Sequence, residues 1–309
     1  MRILVTGGAG FIGSHIAEAY LAAGHHVAIV DDLSTGFSAN VPAGAALHKA
    51  DIRNAAALDA VFAEERPELV NHQAARANVR ESFEKPVEYA DVNVCGSVSL
   101  LEACKKHGVR KVIYASTGGA VYGEPAMLPV PETHAVNPLD PYGASKHHVE
   151  HYLFLYKANF GIDYTILRYP NVYGPRQNPH GEAGVVAIFT ALMMNGGQPR
   201  INGSGQQLRD FLHVSDVAGA SVLASGGAGS GGIFNLGTGA GTSVNQIYDL
   251  LAELTGFAAA KVYAPAKEGE VTQIYLDSTL ARRSLGWTPA YSLRDGLAST
   301  VEFFRARPA

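Results

Sequence analysis

Cysteine is nearly missing from this chain. There are two, Cys95 and Cys104. Nine positions apart on what reads as one helix, they face opposite ways and cannot bridge each other. Two free thiols fit a reducing cytoplasm. Long apolar runs are missing too: no stretch reaches the roughly 18 to 20 apolar residues of a membrane span, so no membrane partner is expected. Arg2 is followed by only three apolar residues before glycines begin, which is not the layout of a secretory leader. Nor is there a basic excess. A net charge of −4 gives no support for a nucleic-acid partner, which calls for a basic surface. An anionic small ligand stays open, because backbone dipoles can outweigh net charge locally. No internal repeat marks a solenoid.

What the chain has in abundance is glycine, 34 residues, and apolar side chains, 47 % of the total against 17 % charged. That balance suits a globular protein with a substantial core. Short β-branched runs alternate with helical patterns. Ile3–Val5, His26–Val30, Glu68–Val70, Lys111–Ala115 and Tyr164–Tyr169 read as strands, and Lys49–Ile52 as the end of another. Residues 12–23, 54–65, 86–107 and 142–159 read as helices. The rhythm predicts an α/β fold with a doubly wound parallel sheet, Rossmann-like. After Tyr169 the texture changes: 170–205 is rich in Gly, Pro and Asn around an apolar helix near 184–195, and 224–232, ASGGAGSGG, has the composition of a flexible loop. The expected organisation is a dinucleotide-binding domain over 1–169 and a smaller α/β substrate lobe over 170–309, with a return to the first domain around 211–240.

The first strand runs into TGGAGFIG, Thr6–Gly13, where Gly7, Gly10 and Gly13 are spaced by three and Gly8-x-Gly10-x-x-Gly13 matches a dinucleotide fingerprint. A tight turn must leave the strand, the backbone must lie against a pyrophosphate, and the helix must aim its free N–H groups at the anion. A glycine-rich hairpin reads the same in isolation. Here the motif follows a strand, opens a helix and meets a second strand ending in Asp31 and Asp32, the first of them 18 residues after Gly13. A carboxylate at that distance suits the adenosine ribose hydroxyls. It would repel a ribose phosphate, which favours NAD over NADP.

Tyr142 and Lys146 form YxxxK at the start of PYGASKHHVEHYLFLY, with Pro141 suited to a first helical turn. Residues i and i+4 share a helix face, and a neighbouring ammonium favours phenolate, which makes a general acid/base. Tyr263 and Lys267 fit the same pattern, but Pro265 between them argues against a helix there. In KVIYASTGGAVYG, residues 111–123, the apolar run gives way to Ser116, Thr117 and two glycines. Alone this is what a strand ending in a turn looks like. Ligands of open parallel sheets, however, sit beyond the carboxyl ends of strands, so these hydroxyls, Tyr142, Lys146 and the glycine turn are expected to converge.

TGGAGFIG, the hydroxyls after KVIYA, YGASK, LRYPNVYGPRQ and RDFLHVSDV, in this order, resemble the extended short-chain dehydrogenase/reductase family. The likeness spans nearly the whole chain and is closest to its UDP-glucose (UDP-galactose) 4-epimerases. The resemblance implies a tightly held NAD and inversion of carbon 4 of a UDP-hexose, UDP-galactose to UDP-glucose, through a transient 4-keto sugar. Tyr142 would take the sugar 4-hydroxyl proton, and Lys146 would lower the Tyr142 pKa and hold the nicotinamide ribose. Thr117, with Ser116 as the other candidate, would hydrogen-bond the oxygen at carbon 4. By the same likeness Phe11, Ile12, Asp31, Asp51, Ile52, Gln73, Ala74, Ala75 and Asn93 would line the NAD site. Asn171 and Arg209 would hold the diphosphate, Lys267 would meet phosphate and Glu270 the uridine ribose. Arg209 taken alone also reads as a surface ion pair with Asp210. Similar proteins are homodimers joined through the helices near 86–107 and 142–159.

The chain departs from a common epimerase form at Gly118, where a third hydroxyl residue usually stands. Gly118 and Gly119 either form a plain turn or leave room beside the sugar. Ile274 aligns with the sugar-facing wall, where larger aromatics occur in some relatives, so an N-acetylhexosamine is an alternative substrate. A UDP-uronate is another, although the opening loop offers no extra donors for its carboxylate. A dehydratase would need an acid pair in STGG, which has none. A non-catalytic NAD-binding regulator is the alternative of another class, and retention of both Tyr142 and Lys146 speaks against it.

Overall fold

The computed structural model describes residues 1–180, 184–266 and 271–306. Six strands follow the alternation of the first half: β1 (Arg2–Thr6), β2 (His26–Asp31), β3 (Ala46–Lys49), β4 (Leu69–His72), β5 (Lys111–Thr117) and β6 (Asp163–Tyr169). A seventh, Gly232–Asn235, returns from the second half and pairs with β6, Gly232 opposite Thr165. The order across the sheet is Gly232–Asn235, β6, β5, β4, β1, β2, β3, and every pairing is parallel. The doubly wound parallel sheet is the architecture the sequence predicts. Its order reverses between β1 and β4, which opens a crevice beyond their carboxyl ends.

Because strand side chains alternate, each strand feeds two cores. Ile3 and Val5 join a cluster with Ile16, Ala17 and Tyr20 of helix α1 (Phe11–Ala22) and with Val217, Ala220 and Ala224 of the helix Val214–Ala224. Leu4 joins Leu58 and Phe62 of helix α2 (Ala55–Glu65), Leu100 of the helix Gly96–His107 and Val149 and Leu153 of the helix Pro141–Phe160. Capping sets where the last of these starts. The Asp140 side chain accepts from the Gly143 amide, Pro141 stands in the first turn, and Gly161 at φ 73° ends it. A third cluster holds the second half together through the helices Val185–Met194, Val244–Thr255 and Leu293–Ala306.

Some boundaries differ from those read in the sequence. β5 runs through Ser116 and Thr117, because Ser116 pairs with Arg168 and Thr117 with Tyr169 of β6. The two hydroxyls therefore stand on the strand, not in a turn after it. The expected helix 86–107 is three segments: Pro86–Tyr89, a wide π turn over Ala90–Cys95, and Gly96–His107. Cys95 is exposed, Cys104 is buried, and both are free. Among the described residues no helix is long and apolar enough to cross a membrane.

Tyr20 pins the returning segment to the sheet. Its hydroxyl donates to the Ser221 carbonyl at 3.0 Å and accepts from Asn71 Nδ2 at 2.9 Å. Tyr20→Phe leaves both partners buried and short of a bond. Urea unfolding should show a loss of about 1–3 kcal/mol. An unchanged midpoint would mean the tie carries no stability.

Candidate functional site

One cleft of about 1980 Å³ runs over the carboxyl ends of the strands. At one end lies the glycine turn. Gly7 takes φ 68°, and a Cβ at Gly13 would overlap the Gly7 carbonyl oxygen, so helix α1 packs against the turn only with glycine there. No side chain caps the start of α1, which leaves its first amides aimed at the cleft, where Gly7, Gly10, Phe11, Ile12 and Gly13 form the wall. Asp31 ends β2 with its carboxylate taking the Ala9 amide at 2.9 Å and the Leu33 amide at 2.8 Å. Burial raises its pKa and the two amides oppose the rise. Asp32 is tied to the Ser34 amide and hydroxyl.

Further along the same wall stand Asp51, Ile52, Gln73, Ala74 and Ala75. The hydrogen bonds from Arg53 hold the Asp51 carboxyl below its usual range, against a smaller opposing effect of burial. Gln73 Nε2 donates to Asn71 Oδ1 at 2.6 Å. Asn93 is placed differently. It is 1 % exposed and stands behind the cleft wall, donating to the Arg76 carbonyl at 3.0 Å and to Ser145 Oγ at 2.8 Å. The π turn brings it there, between the loop after β4 and the helix that carries Tyr142.

At the other end Ser116, Thr117, Tyr142 and Lys146 all border the cleft. Tyr142 is half-buried in the first turn of its helix, and Lys146 follows one turn later with its Nζ 4.7 Å from the centre of the Tyr114 ring. That ammonium makes no hydrogen bond among the described residues. Burial lowers its pKa to about 7, partly opposed by the charge of Glu150. The two hydroxyls are not equivalent. Ser116 Oγ donates to Glu150 Oε1 at 2.6 Å, whereas the Thr117 hydroxyl has no partner among the described residues. Gly118 leaves no spare room: a Cβ there would collide with Leu276 Cδ1. Gly119 is the open one, where an added Cβ would meet Thr117 Oγ1 at an ordinary 3.8 Å. Ile274 is 3 % exposed and packs with Val121, Tyr122, Val130 and Leu276. It is not among the residues that line the cleft, so Ile274 gives no ground for the alternative of an N-acetylated sugar.

The second half supplies the far rim. Asn171 opens a short strand, Asn171–Tyr173, parallel to Phe211–His213, and Arg209 stands just before that partner; both border the cleft. Arg209 NH1 donates to the Leu208 carbonyl at 2.9 Å. The Asp210 carboxylate is taken up by the Thr238 amide and hydroxyl and by the Gly239 and Leu276 amides. It is a knot that fixes the strand. Lys267 and Glu270 lie outside the described residues. The sequence reading passed over Arg176. It sits in LRYPNVYGPRQ at φ 68°, borders the cleft, and bonds Glu18 of α1 at 2.6 Å. Its place within a motif already singled out was the available signal.

The NAD dependent epimerase/dehydratase family matches residues 3–237. The chain belongs to this family. It is 47 % identical over 303 residues to a putative UDP-glucose 4-epimerase of Methanocaldococcus jannaschii, covering 98 % of each chain. It is 44 % identical to the UDP-glucose 4-epimerase of Mycolicibacterium smegmatis, over 99 % of each. The structure of UDP-glucose 4-epimerase from Thermotoga maritima, solved with UDP-glucose, superposes with a TM-score of 0.97 at 46 % identity over 99 % of both chains. That of Thermus thermophilus, in complex with NAD, gives 0.94 at 44 % identity over 99 % of this chain and 100 % of that one. The residues present fit such a cofactor. The glycine cradle that a Cβ would fill, the uncapped helix start and the buried ammonium of Lys146 offer donors where phosphates and a ribose need them.

The buried Lys146 gives a test of its own. Its folded-state pKa, about 7, lies below the unfolded value near ~10.4. Between those values the unfolded chain holds more protons, so this group makes stability rise with pH there. In protein stripped of nucleotide, Lys146→Met should flatten that rise, read as Tm against pH. A slope identical to that of the unmodified chain would show that Lys146 is not the group responsible.

Proposed function

We propose that the chain inverts carbon 4 of a UDP-hexose, converting UDP-galactose to UDP-glucose through a 4-keto sugar, with NAD as cofactor. The observation that carries this reading is the convergence of the glycine turn, Tyr142, Lys146 and Thr117 on one cleft. Full-length likeness to UDP-glucose 4-epimerases supports it.

Held by the glycine turn Gly7–Gly13, Asp31 and Lys146, NAD would supply reversible hydride transfer at the sugar carbon. The chain's own groups do the rest. The Tyr142 phenolate, stabilised by the Lys146 ammonium one turn away, takes the proton of the 4-hydroxyl, and the phenol so formed returns it. Thr117 donates to the oxygen at carbon 4. Arg209 and Asn171 hold the diphosphate, a guanidinium being suited to it by its planar fork of donors.

We read residues 1–169 as the NAD-binding lobe and 170–309 as the nucleotide-sugar lobe, with the strand at 232–235 returned to the first. We also place the protein in the cytoplasm as a homodimer joined through Gly96–His107 and Pro141–Phe160. Phe154 and Phe160 on the latter, each 52 % exposed, are apolar surface that such a contact would cover.

Incubation of the purified chain with UDP-galactose, with and without added NAD, should yield UDP-glucose by product analysis. No conversion in either case would overturn the reading. Tyr142→Phe should lower kcat by roughly 10²- to 10⁴-fold while bound NAD is retained. Turnover at the unmodified rate would remove Tyr142 from the role.

A further inference from the structure

Ser116 and Thr117 are neighbours on one strand and both touch the cleft, yet the fold treats them oppositely. Val112 and Tyr114 of β5 pack in the cluster of the helix Pro141–Phe160, and Ile113 and Ala115 in the cluster on the other face. Alternation continues along the strand. Ser116 falls on the helix side and Thr117 on the far side.

On the helix side one buried carboxylate gathers three elements. Glu150, 4 % exposed, lies one turn beyond Lys146. Its Oε1 accepts from Ser116 Oγ at 2.6 Å and from Arg168 Nε at 2.9 Å, and its Oε2 accepts from Arg168 NH2 at 2.6 Å. Arg168, 2 % exposed, is the cross-strand partner of Ser116 on β6. Its remaining NH1 donates to the Tyr122 hydroxyl at 2.8 Å, which donates to Asn235 Oδ1 on the seventh strand at 2.7 Å. In such a dry network each bond is strong and each missing partner costly. Turning Ser116 toward a sugar would take a donor from a buried carboxylate.

We propose that Ser116 is a positioning residue. Its hydroxyl latches the tip of β5 to Glu150, on the helix that carries Tyr142 and Lys146, and thereby leaves Thr117, of this pair, to offer its hydroxyl to the cleft. What that hydroxyl does rests on the function proposed above; the latch itself rests on the bonds just described. The tip is held on its other flank as well, by the Gly118 amide donating to the Tyr169 carbonyl at 2.7 Å and by Leu276 filling the place of a side chain at 118. The Glu150 charge also partly offsets the burial of Lys146, so one carboxylate serves both the strand and the ammonium.

The test uses the full chain with NAD. Ser116→Ala keeps the Glu150–Arg168 pair and is expected to fold. Hydrogen exchange by mass spectrometry over residues 112–120 should quicken about tenfold at the tip, and kcat on UDP-galactose should fall about tenfold or more with KM near its original value, since a small misplacement of a reacting group is felt mainly in the transition state. Ser116→Thr, which keeps the hydroxyl, should restore both. Thr117→Ala should lose kcat without quickening exchange. Wild-type exchange at the tip in Ser116→Ala, or a loss confined to KM, would overturn the latch. If the unmodified chain does not turn over UDP-galactose, the proposed function falls, while the exchange measurement still decides the latch.

Discussion

The sheet changes direction once, and the site exists because of it. After β1 the chain builds outward through β2 and β3, then crosses back to place β4 on the other side of β1. The connections leaving β1 and β4 diverge, and a crevice opens beyond the carboxyl ends between them. The glycine turn sits in that gap with an uncapped helix start behind it. A ligand with phosphates answers two needs of the backbone at once: the free amides of the first helical turn and the positive end of the helix dipole.

At the other end of the cleft the governing interaction is electrostatic and buried. The ion pair of Glu150 and Arg168 would be hard to sustain without its hydrogen bonds, since desolvation of two charges can exceed their attraction. Here each hydrogen bond to the carboxylate adds to it: burial alone would raise the Glu150 pKa, yet Arg168, His147 and Ser116 bring it down to about 2. Lys146 has the opposite fate, a buried ammonium with an aromatic face and no acceptor among the described residues. Helix Pro141–Phe160 therefore carries one satisfied charge and one unsatisfied charge on successive turns. The unsatisfied one faces the cleft, where a bound group can meet it.

The second half shapes the rim with small means. Short parallel strands, a buried Asp210 that gathers two amides and a hydroxyl from 238–239 and the Leu276 amide, and the close fit of Leu276 against Gly118 bring distant segments to the tip of β5. None of these contacts is local in sequence.

That difference marks what the chain's own order of residues determined. Alternating β-branched runs and helical stretches specify the parallel sheet, because period and connection length act within tens of residues. TGGAGFIG and YxxxK were legible for the same reason: a turn that only glycine fits, and a phenol and an ammonium one helical turn apart, are local geometry. Tertiary structure decided the rest. Whether Ser116 or Thr117 is free depends on Glu150 and Arg168, which reach β5 only when the helix and β6 pack beside it. Asn93, with little local signal, was moved behind the wall by a π turn. The room expected at Gly118 was closed by Leu276, 158 residues away, and Ile274 was drawn into a core. Spacing along a chain fixes which groups can share a face; only packing settles which of them still lacks a partner.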